Sequence, residues 1–278
     1  MRKSLFRIEM HRGLFGRGMA LSLAVGLLLA VSHVIMIVLP MIPTLEANLL
    51  YPDKWVTPHT VFVKWMGGES YSLQGYLFYL IAPLLAALPF ADSYYTDRKS
   101  GYIKSLCTRA PKRRYFLSKF AATFLCGGLA VVLPLMVNLA LTAVCLPSHL
   151  PQIVTGMYSI DATAVLADLF VTHPYGYIFL YLIFNFAFFG FLAALALDIS
   201  FFVENRFVVL LTPFLIYLFL FSVMNLTGWQ QVNPMIIFNP VQAGYPHSSL
   251  SILLGMIAGL GLVTGGIFIG KGTHDDIL

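Results

Sequence analysis

Charged residues are scarce in this chain. Asp, Glu, Lys and Arg make up 10% of its 278 residues, compared with about 25% in an average soluble domain. Hydrophobic residues account for 59%, and the mean hydropathy is +0.82. So little charge cannot cover the surface of a soluble protein of this size, which indicates an all-α integral membrane protein.

Ionisable side chains are nearly absent from the apolar runs themselves. Between the membrane interfaces of the predicted spans, His33 is the single ionisable residue, and we interpret it as a hydrogen-bonded packing residue. Ion-coupled transporters and proton pumps keep carboxylates or chains of histidines at this depth, because the coupling ion needs a partner there. The absence argues against an ion-driven protein and suggests that another subunit supplies the energy.

Signatures of nucleotide hydrolysis, metal binding and proteolysis are also lacking. Gly265, Gly270 and Lys271 imitate the start of G-x-x-x-x-G-K-[ST], but Gly272 occupies the Ser/Thr position and no strand precedes the motif. The sequence has no H-E-x-x-H or G-x-S-x-G, and no pair of aspartates at mid-membrane for an aspartyl protease. We therefore expect no enzymatic activity, no metal site and no cofactor on this chain.

Cysteine is rare as well. The three cysteines, Cys107, Cys126 and Cys145, are evenly spaced. If the intervening chain is helical, consecutive cysteines lie roughly 28 Å apart at ~1.5 Å per residue, far beyond the reach of a disulfide. We expect three small packing residues.

The sequence does contain six apolar runs of membrane-spanning length. Spans are predicted at 19–41, 73–91, 117–143, 175–197, 207–226 and 248–270. The first run exceeds the apolar core of a signal peptide, and no A-x-A-like cleavage site follows it, so we interpret it as a retained span. Residues 19–278 then form one six-span domain, preceded at 1–18 by an amphipathic helix on the membrane surface.

The distribution of cations predicts the topology. Six spans place both termini on one side, and all of the 17 Lys and Arg residues except Lys54 and Lys64 fall in segments on that side. The positive-inside rule makes that side cytoplasmic. The net charge of +5 sits beside apolar spans, which favours anionic lipid over nucleic acid. We expect a multi-pass protein of a bacterial plasma membrane.

The loop between spans two and three carries the densest charge. Eight cations crowd into 92–119: Arg98, Lys99, Lys104, Arg109, Lys112, Arg113, Arg114 and Lys119. A short helix is predicted over 97–108, with Tyr102, Ile103 and Leu106 as an apolar patch on one side and Pro111 ending the segment. A loop that only orients the protein needs cations and no such patch. We therefore interpret 92–116 as a site where a cytoplasmic protein docks.

The same stretch resembles permeases of the ABC-2 type, the transmembrane subunits of ATP-binding cassette exporters. The positions that carry the resemblance are Asp97, Gly101, Leu106, Arg113 to Phe116 and Lys119, and the six-span topology extends it over the chain. The resemblance implies a type V exporter fold, a second permease protomer, most simply a homodimer, and two separate ATPase subunits that bind ATP and Mg²⁺. The 97–108 segment would be the coupling helix. Its candidate coupling residues are Asp97, Gly101, Tyr102, Ile103, Leu106 and Arg109.

In relatives of this type, spans two and five line the central path. On this chain the resemblance implies a path lined by Tyr76, Tyr79, Phe214, Tyr217 and Phe221. An aromatic, nearly uncharged lining suits an amphipathic peptide, a lipid-like molecule or a drug. The alternative is that these rings only pack between helices.

Two other functions remain open from the sequence. A membrane assembly or sensor subunit would also lack ionisable residues at mid-membrane. An ion-coupled secondary transporter is disfavoured by the same absence. Gly255 and Gly259, with Gly261 and Gly265, form G-x-x-x-G pairs in the sixth span, which allow a close helix contact either within the protomer or with a second copy.

Overall fold

The computed structural model describes residues 5–45, 59–69, 72–108, 111–150, 160, 163–242 and 248–274, and within these ranges the chain is helical with no strand. The helices are α1 (Leu5–Leu14), α2 (Arg17–His33), α3 (Val61–Lys64), α4 (Leu73–Ala87), α5 (Ser93–Lys99), α6 (Tyr102–Cys107), α7 (Lys112–Cys145), α8 (Ala167–Thr172), α9 (Pro174–Ile199), α10 (Arg206–Thr227), α11 (Pro234–Ile237) and α12 (Leu250–His274). The all-α prediction is confirmed for these residues.

Five helical runs are long and apolar enough to cross a membrane. They are Arg17–Leu45, which continues α2 through a π-helical turn and a 3-10 turn, and Lys112–Cys145, Pro174–Ile199, Arg206–Thr227 and Leu250–Thr273. The predicted span at 73–91 is the shorter helix α4, with 15 residues. At ~1.5 Å per residue it rises roughly 22 Å, less than the ~30 Å hydrocarbon core. The described residues thus contain five helices that fit a membrane protein by length and composition, and a sixth crossing stays a prediction.

The end of α4 has a local cause. Pro89 has no N–H to donate into the preceding turn, and the chain turns through residues 88–92 before α5 begins. Pro83 lies within the helix, which membrane helices tolerate where neighbours cover the freed carbonyl.

The long helices alternate in direction. Ser22 Oγ, near the start of α2, donates to the carbonyl of Leu85 near the end of α4 at 2.7 Å. Phe116 at the start of α7 lies 5.2 Å from Phe268 near the end of α12, ring centre to ring centre. We call the end of the bundle that contains α1, α5, α6 and the start of α7 the basic end. The other end is the opposite end.

Helix α1 differs from its predicted form. A surface helix is predicted at 1–18. The observed helix covers Leu5–Leu14, and α2 begins at Arg17, directly after Gly16. Phe6 and Ile8 are exposed, as expected for a helix against lipid, but Glu9 faces the protein and is fully buried. Helix α1 therefore packs against the bundle with its acidic residue inward.

Helices α7 and α9 form the centre of the bundle. About half of the apolar part of α7 and 61% of that of α9 are buried, compared with 17% for α10 and for α12. Glycines allow α7 and α9 to approach closely. A Cβ on Gly190 would lie 2.7 Å from the Phe124 carbonyl oxygen, and a Cβ on Gly127 would lie 2.5 Å from the Ala193 Cβ. The cysteines are free.

At the opposite end, polar side chains hold non-helical segments on α9. Tyr177 donates to the Pro240 carbonyl at 2.6 Å, and Asn185 donates to the Phe238 carbonyl at 2.9 Å. Phe238 stacks on Phe188 at 3.9 Å between ring centres. The short helix α11 is packed into the core, with Pro234, Met235 and Ile237 buried.

The contact between α7 and α9 yields a test. Gly190→Ala would place a methyl group against the backbone of α7, and we expect a loss of about 1–3 kcal/mol of stability from the forced separation. The control is Gly266→Ala in α12, where no atom lies within 4 Å of the added Cβ. Thermal unfolding in detergent compares the two, and equal melting temperatures would contradict the assigned contact.

Candidate functional site

The basic loop folds as two short helices instead of the single predicted helix over 97–108. Helix α5 ends at Lys99, and α6 begins at Tyr102. Between them Gly101 adopts a left-handed conformation with φ +71°, which glycine accepts without the steric cost that other residues incur. Its amide donates to the Arg98 carbonyl at 3.2 Å, closing the C-terminus of α5.

A buried charge network anchors this pair of helices. Asp97 on α5 accepts from Arg12 of α1 at 2.7 Å and from Lys119 of α7 at 2.6 Å. The Tyr115 hydroxyl of α7 donates to the same carboxylate at 2.9 Å. Asp97 has an exposed fraction of 2%. It is therefore no surface contact for a docking partner, because its carboxylate points into the chain.

Glu9 completes the network from the N-terminal helix. Its Oε2 lies 2.5 Å from the Lys119 Nζ, and both side chains have no exposed surface. Arg12 also contacts the Glu9 carboxylate at 3.2 Å. The ammonium of Lys119 therefore bridges two carboxylates that come from helices 88 positions apart in the sequence. We call Glu9, Arg12, Asp97, Tyr115 and Lys119 the charge clamp.

The charge clamp contains two cations and two anions, so its formal charge is zero. Burial alone raises the pKa of Asp97, but the hydrogen bond from Arg12 and the nearby Lys119 charge outweigh it, and the pKa is lowered from its usual value of 3.8. Asp97 is therefore charged at neutral pH. Because its folded pKa lies below the unfolded one, its contribution to stability is present at neutral pH and lost as the pH falls through the lowered pKa.

Aromatic rings enclose the clamp cations. The Lys119 Nζ lies 4.6 Å from the centre of the Phe90 ring, and the Arg12 Cζ lies 5.3 Å from the Tyr102 ring. Ring faces attract cations and exclude water. The clamp is thus a closed site, with Arg12 as its one partly exposed member.

A second buried contact holds α6 against the bundle. Ile103 packs in a cluster with Tyr94, Tyr115, Phe116 and Phe268. Tyr94 lies 5.4 Å from Phe268 in an edge-to-face arrangement, which adds a directional contribution to the burial. The two loop helices therefore rest on α7 and α12.

The candidate coupling residues separate into two groups. Asp97 and Ile103 are buried in the chain itself, so neither presents its side chain at the surface. Tyr102 and Leu106 are half-buried, and Gly101 forms the turn. Arg109 lies outside the described residues. The side chains exposed along the loop are polar or basic: Thr96, Arg98, Lys99, Ser100, Lys104, Ser105 and Thr108.

Comparison with protein-family models, curated proteins and solved structures finds no match to this chain. The interpretation of the basic end therefore depends on its geometry. What the geometry provides is an exposed two-helix projection, fixed from behind by a buried charge clamp. Such an arrangement can carry a force applied at α6 to both α1 and α7.

The five candidate path residues do not share one surface. Tyr79 and Tyr217 are buried, and the Tyr217 hydroxyl donates to the Tyr79 carbonyl at 3.2 Å, joining α4 to α10. Tyr76 is exposed, while Phe214 and Phe221 are half-buried. Within one protomer the two buried tyrosines thus pack between helices, and Tyr76 faces outward.

His33 is a packing residue, as predicted. The Nδ2 of Asn138, on α7, donates to the Ala30 carbonyl at 2.9 Å and lies 3.2 Å from the His33 Nδ1. The Oδ1 of the same side chain accepts from the Met66 amide at 2.7 Å. Because Nδ2 is a donor, the His33 Nδ1 accepts and its Nε2 carries the proton. This lock joins α2, α7 and the 59–69 segment.

Sequence reasoning missed Glu9 and Arg12 as members of the site. Glu9 is the single acid before Glu46, within a strongly basic segment. An isolated carboxylate among cations on an otherwise amphipathic helix is a usable signal for a buried ion pair. Asp92 pairs with Arg206 at 2.5 Å. Asp198 has no partner among the described residues.

The clamp can be tested by removing its central cation. Lys119→Met leaves Glu9 and Asp97 buried with one cation between them, and we expect a loss of about 3–5 kcal/mol. Thermal unfolding in detergent measures the change. Arg113→Met is the control, because Arg113 is an exposed cation on the same helix.

A compensating variant separates charge imbalance from packing. Lys119→Met with Glu9→Gln restores neutrality, since the Arg12 and Asp97 pair remains, and we expect it to recover much of the lost stability. If Lys119→Met were as stable as Arg113→Met, the clamp would not be a stabilising element.

Proposed function

We propose that this chain is the permease subunit of an ATP-driven exporter of the ABC-2 type, with α5 and α6 as the element that couples it to separate ATPase subunits. The observation that carries the proposal is the construction of the loop. Its inner face is fixed by the charge clamp and the Ile103 cluster, while its outer face presents exposed polar and basic side chains. A loop that only oriented the protein in the membrane would need no such support.

The clamp gives the loop a mechanical connection. A displacement of α5 is passed through Asp97 to Lys119 on α7 and to Arg12 on α1. Helix α7 contacts α9 along the centre of the bundle. Closure of two ATPase subunits would thus move the central helices of each permease protomer, because buried ion pairs and packed helices shift as units.

The sequence supports an external source of energy. The chain has no nucleotide-binding motif, and the histidine predicted at mid-membrane accepts a hydrogen bond from Asn138. ATP and Mg²⁺ would bind to the partner ATPase, of which two copies serve a permease dimer, most simply a homodimer. The basic end would face the cytoplasm, as the excess of cations there favours.

Exposed and half-buried aromatic rings on α4 and α10 support the proposed path and cargo. Tyr76 is exposed on α4, and the weakly buried face of α10 includes Phe214 and Phe221. In a dimer these rings would be available to line a path between protomers. Such a lining suits an amphipathic peptide, a lipid-like molecule or a drug.

Charge reversal on the outer face of α6 tests the coupling role. Lys104 is exposed, so Lys104→Glu leaves the clamp intact. We expect association with the ATPase to weaken on the order of tenfold, about 1.4 kcal/mol, with export reduced in proportion. Leu106→Asp would not separate ATPase binding from folding, because Leu106 also packs on the aromatic cluster.

The experiment co-purifies the chain with its proposed ATPase partner and measures ATP hydrolysis in proteoliposomes. Arg17→Glu is the matched control, since it reverses an exposed cation at the same end outside the 92–116 segment. Equal loss in both variants would contradict a specific role for α6. Uptake or efflux driven by an ion gradient without ATP would contradict the exporter class, and absence of any cargo-stimulated hydrolysis would favour an assembly or sensor subunit.

A further inference from the structure

A cleft lies at the basic end between α5 and the turn that joins α9 to α10. Its volume is about 320 Å³, and it is lined by Tyr95, Arg98, Lys99, Val203 and Glu204. This volume is at the lower end of the range, roughly 300–1,000 Å³, of sites for small molecules. The cleft is separate from the charge clamp and from the exposed face of α6.

The cleft has fixed walls. The Tyr95 hydroxyl donates to the Glu204 carbonyl at 3.0 Å, which holds the turn against α5. Arg206, directly after the turn, binds Asp92 at the start of α5 at 2.5 Å. These two contacts fix the spacing between the side that bears cations and the side that bears Glu204.

Charges of both signs line the cleft without neutralising each other. Among the described residues, the carboxylate of Glu204 forms no ion pair, and neither do the side chains of Arg98 and Lys99. Lys99 instead lies 5.9 Å from the centre of the Tyr95 ring. A ligand complementary to this cleft carries an anionic group and a cationic group a few bonds apart.

The apolar surroundings indicate where such a ligand comes from. Phe202 and Phe207 flank the turn and are 67% and 74% exposed. Phe207 belongs to the first turn of α10, a helix long and apolar enough to span the membrane. Exposed apolar rings at the end of a helix long enough to span the membrane form a surface suited to contact with lipid, which places acyl chains beside the cleft.

We propose that this cleft binds the headgroup of a phospholipid with a primary amine. The phosphate contacts Arg98 and Lys99, and the ammonium donates to the carboxylate of Glu204. The acyl chains extend along Phe207, since the Phe202 ring carries the Lys271 ammonium 4.0 Å from its centre. A purely anionic headgroup would face an uncompensated Glu204, and a quaternary amine would have no N–H to donate to it.

The test titrates the detergent-purified full chain with phosphatidylethanolamine, phosphatidylglycerol and phosphatidylcholine and measures bound lipid by native mass spectrometry. We expect phosphatidylethanolamine to bind on the order of tenfold more tightly than the other two, the effect of one charge-assisted hydrogen bond. Free phosphoethanolamine is included as a competitor without acyl chains.

Three variants assign the contacts. Glu204→Gln should abolish the preference over phosphatidylcholine, and Arg98→Gln with Lys99→Gln should weaken phosphatidylethanolamine binding on the order of tenfold. Arg113→Gln, an exposed cation outside the cleft, should leave binding unchanged. Each variant's melting temperature confirms that it folds as the parent does.

Several outcomes would overturn the proposal. Tighter binding of phosphatidylglycerol would mean a simple anionic site, and an unchanged preference in Glu204→Gln would place the amine elsewhere. Competition by phosphoethanolamine at the same concentration as the lipid would mean a soluble ligand. None of these outcomes bears on whether an ATPase binds to α6.

Discussion

The fold of the basic end depends on one ammonium group. The Lys119 Nζ lies within 2.6 Å of carboxylates from α1 and α5 and has no exposed surface. Removing three or four charges from water is costly, and only complete pairing compensates for it. The N-terminal helix, the basic loop and the central helix α7 must therefore take up their positions together, because any one of them alone would leave a buried charge without a partner.

Much of the architecture could be predicted from the sequence because apolar length and charge distribution are local signals. The predicted runs at 19–41, 117–143, 175–197, 207–226 and 248–270 correspond to the five long helices, with ends that differ by a few residues. The second run differs because Pro89 ends α4 early, and the loop helix differs because Gly101 divides it. Both glycine and proline act through backbone geometry, which an apolar pattern does not report.

The candidate site was harder to predict, since its members meet only after folding. Asp97 and Lys119 were identified as positions of interest, but their partners Glu9 and Arg12 lie on a segment that reads as a surface helix. An amphipathic pattern indicates that a helix has two faces and does not indicate which face the protein covers. In α1 the acidic side chain is inside and Phe6 and Ile8 are exposed, because an ion pair with Lys119 was available there.

The shortness of α4 has a consequence for the polar backbone groups at its two ends. A helix that rises less than the hydrocarbon thickness leaves polar backbone at its ends below the level of the headgroups. Here protein covers these ends: Ser72 caps one of them, and at the other the Leu88 carbonyl lies so close to Gly18 of α2 that a Cβ there would be 2.1 Å away. The chain itself thus shields both ends of α4, as the predicted crossing at 73–91 would require in lipid.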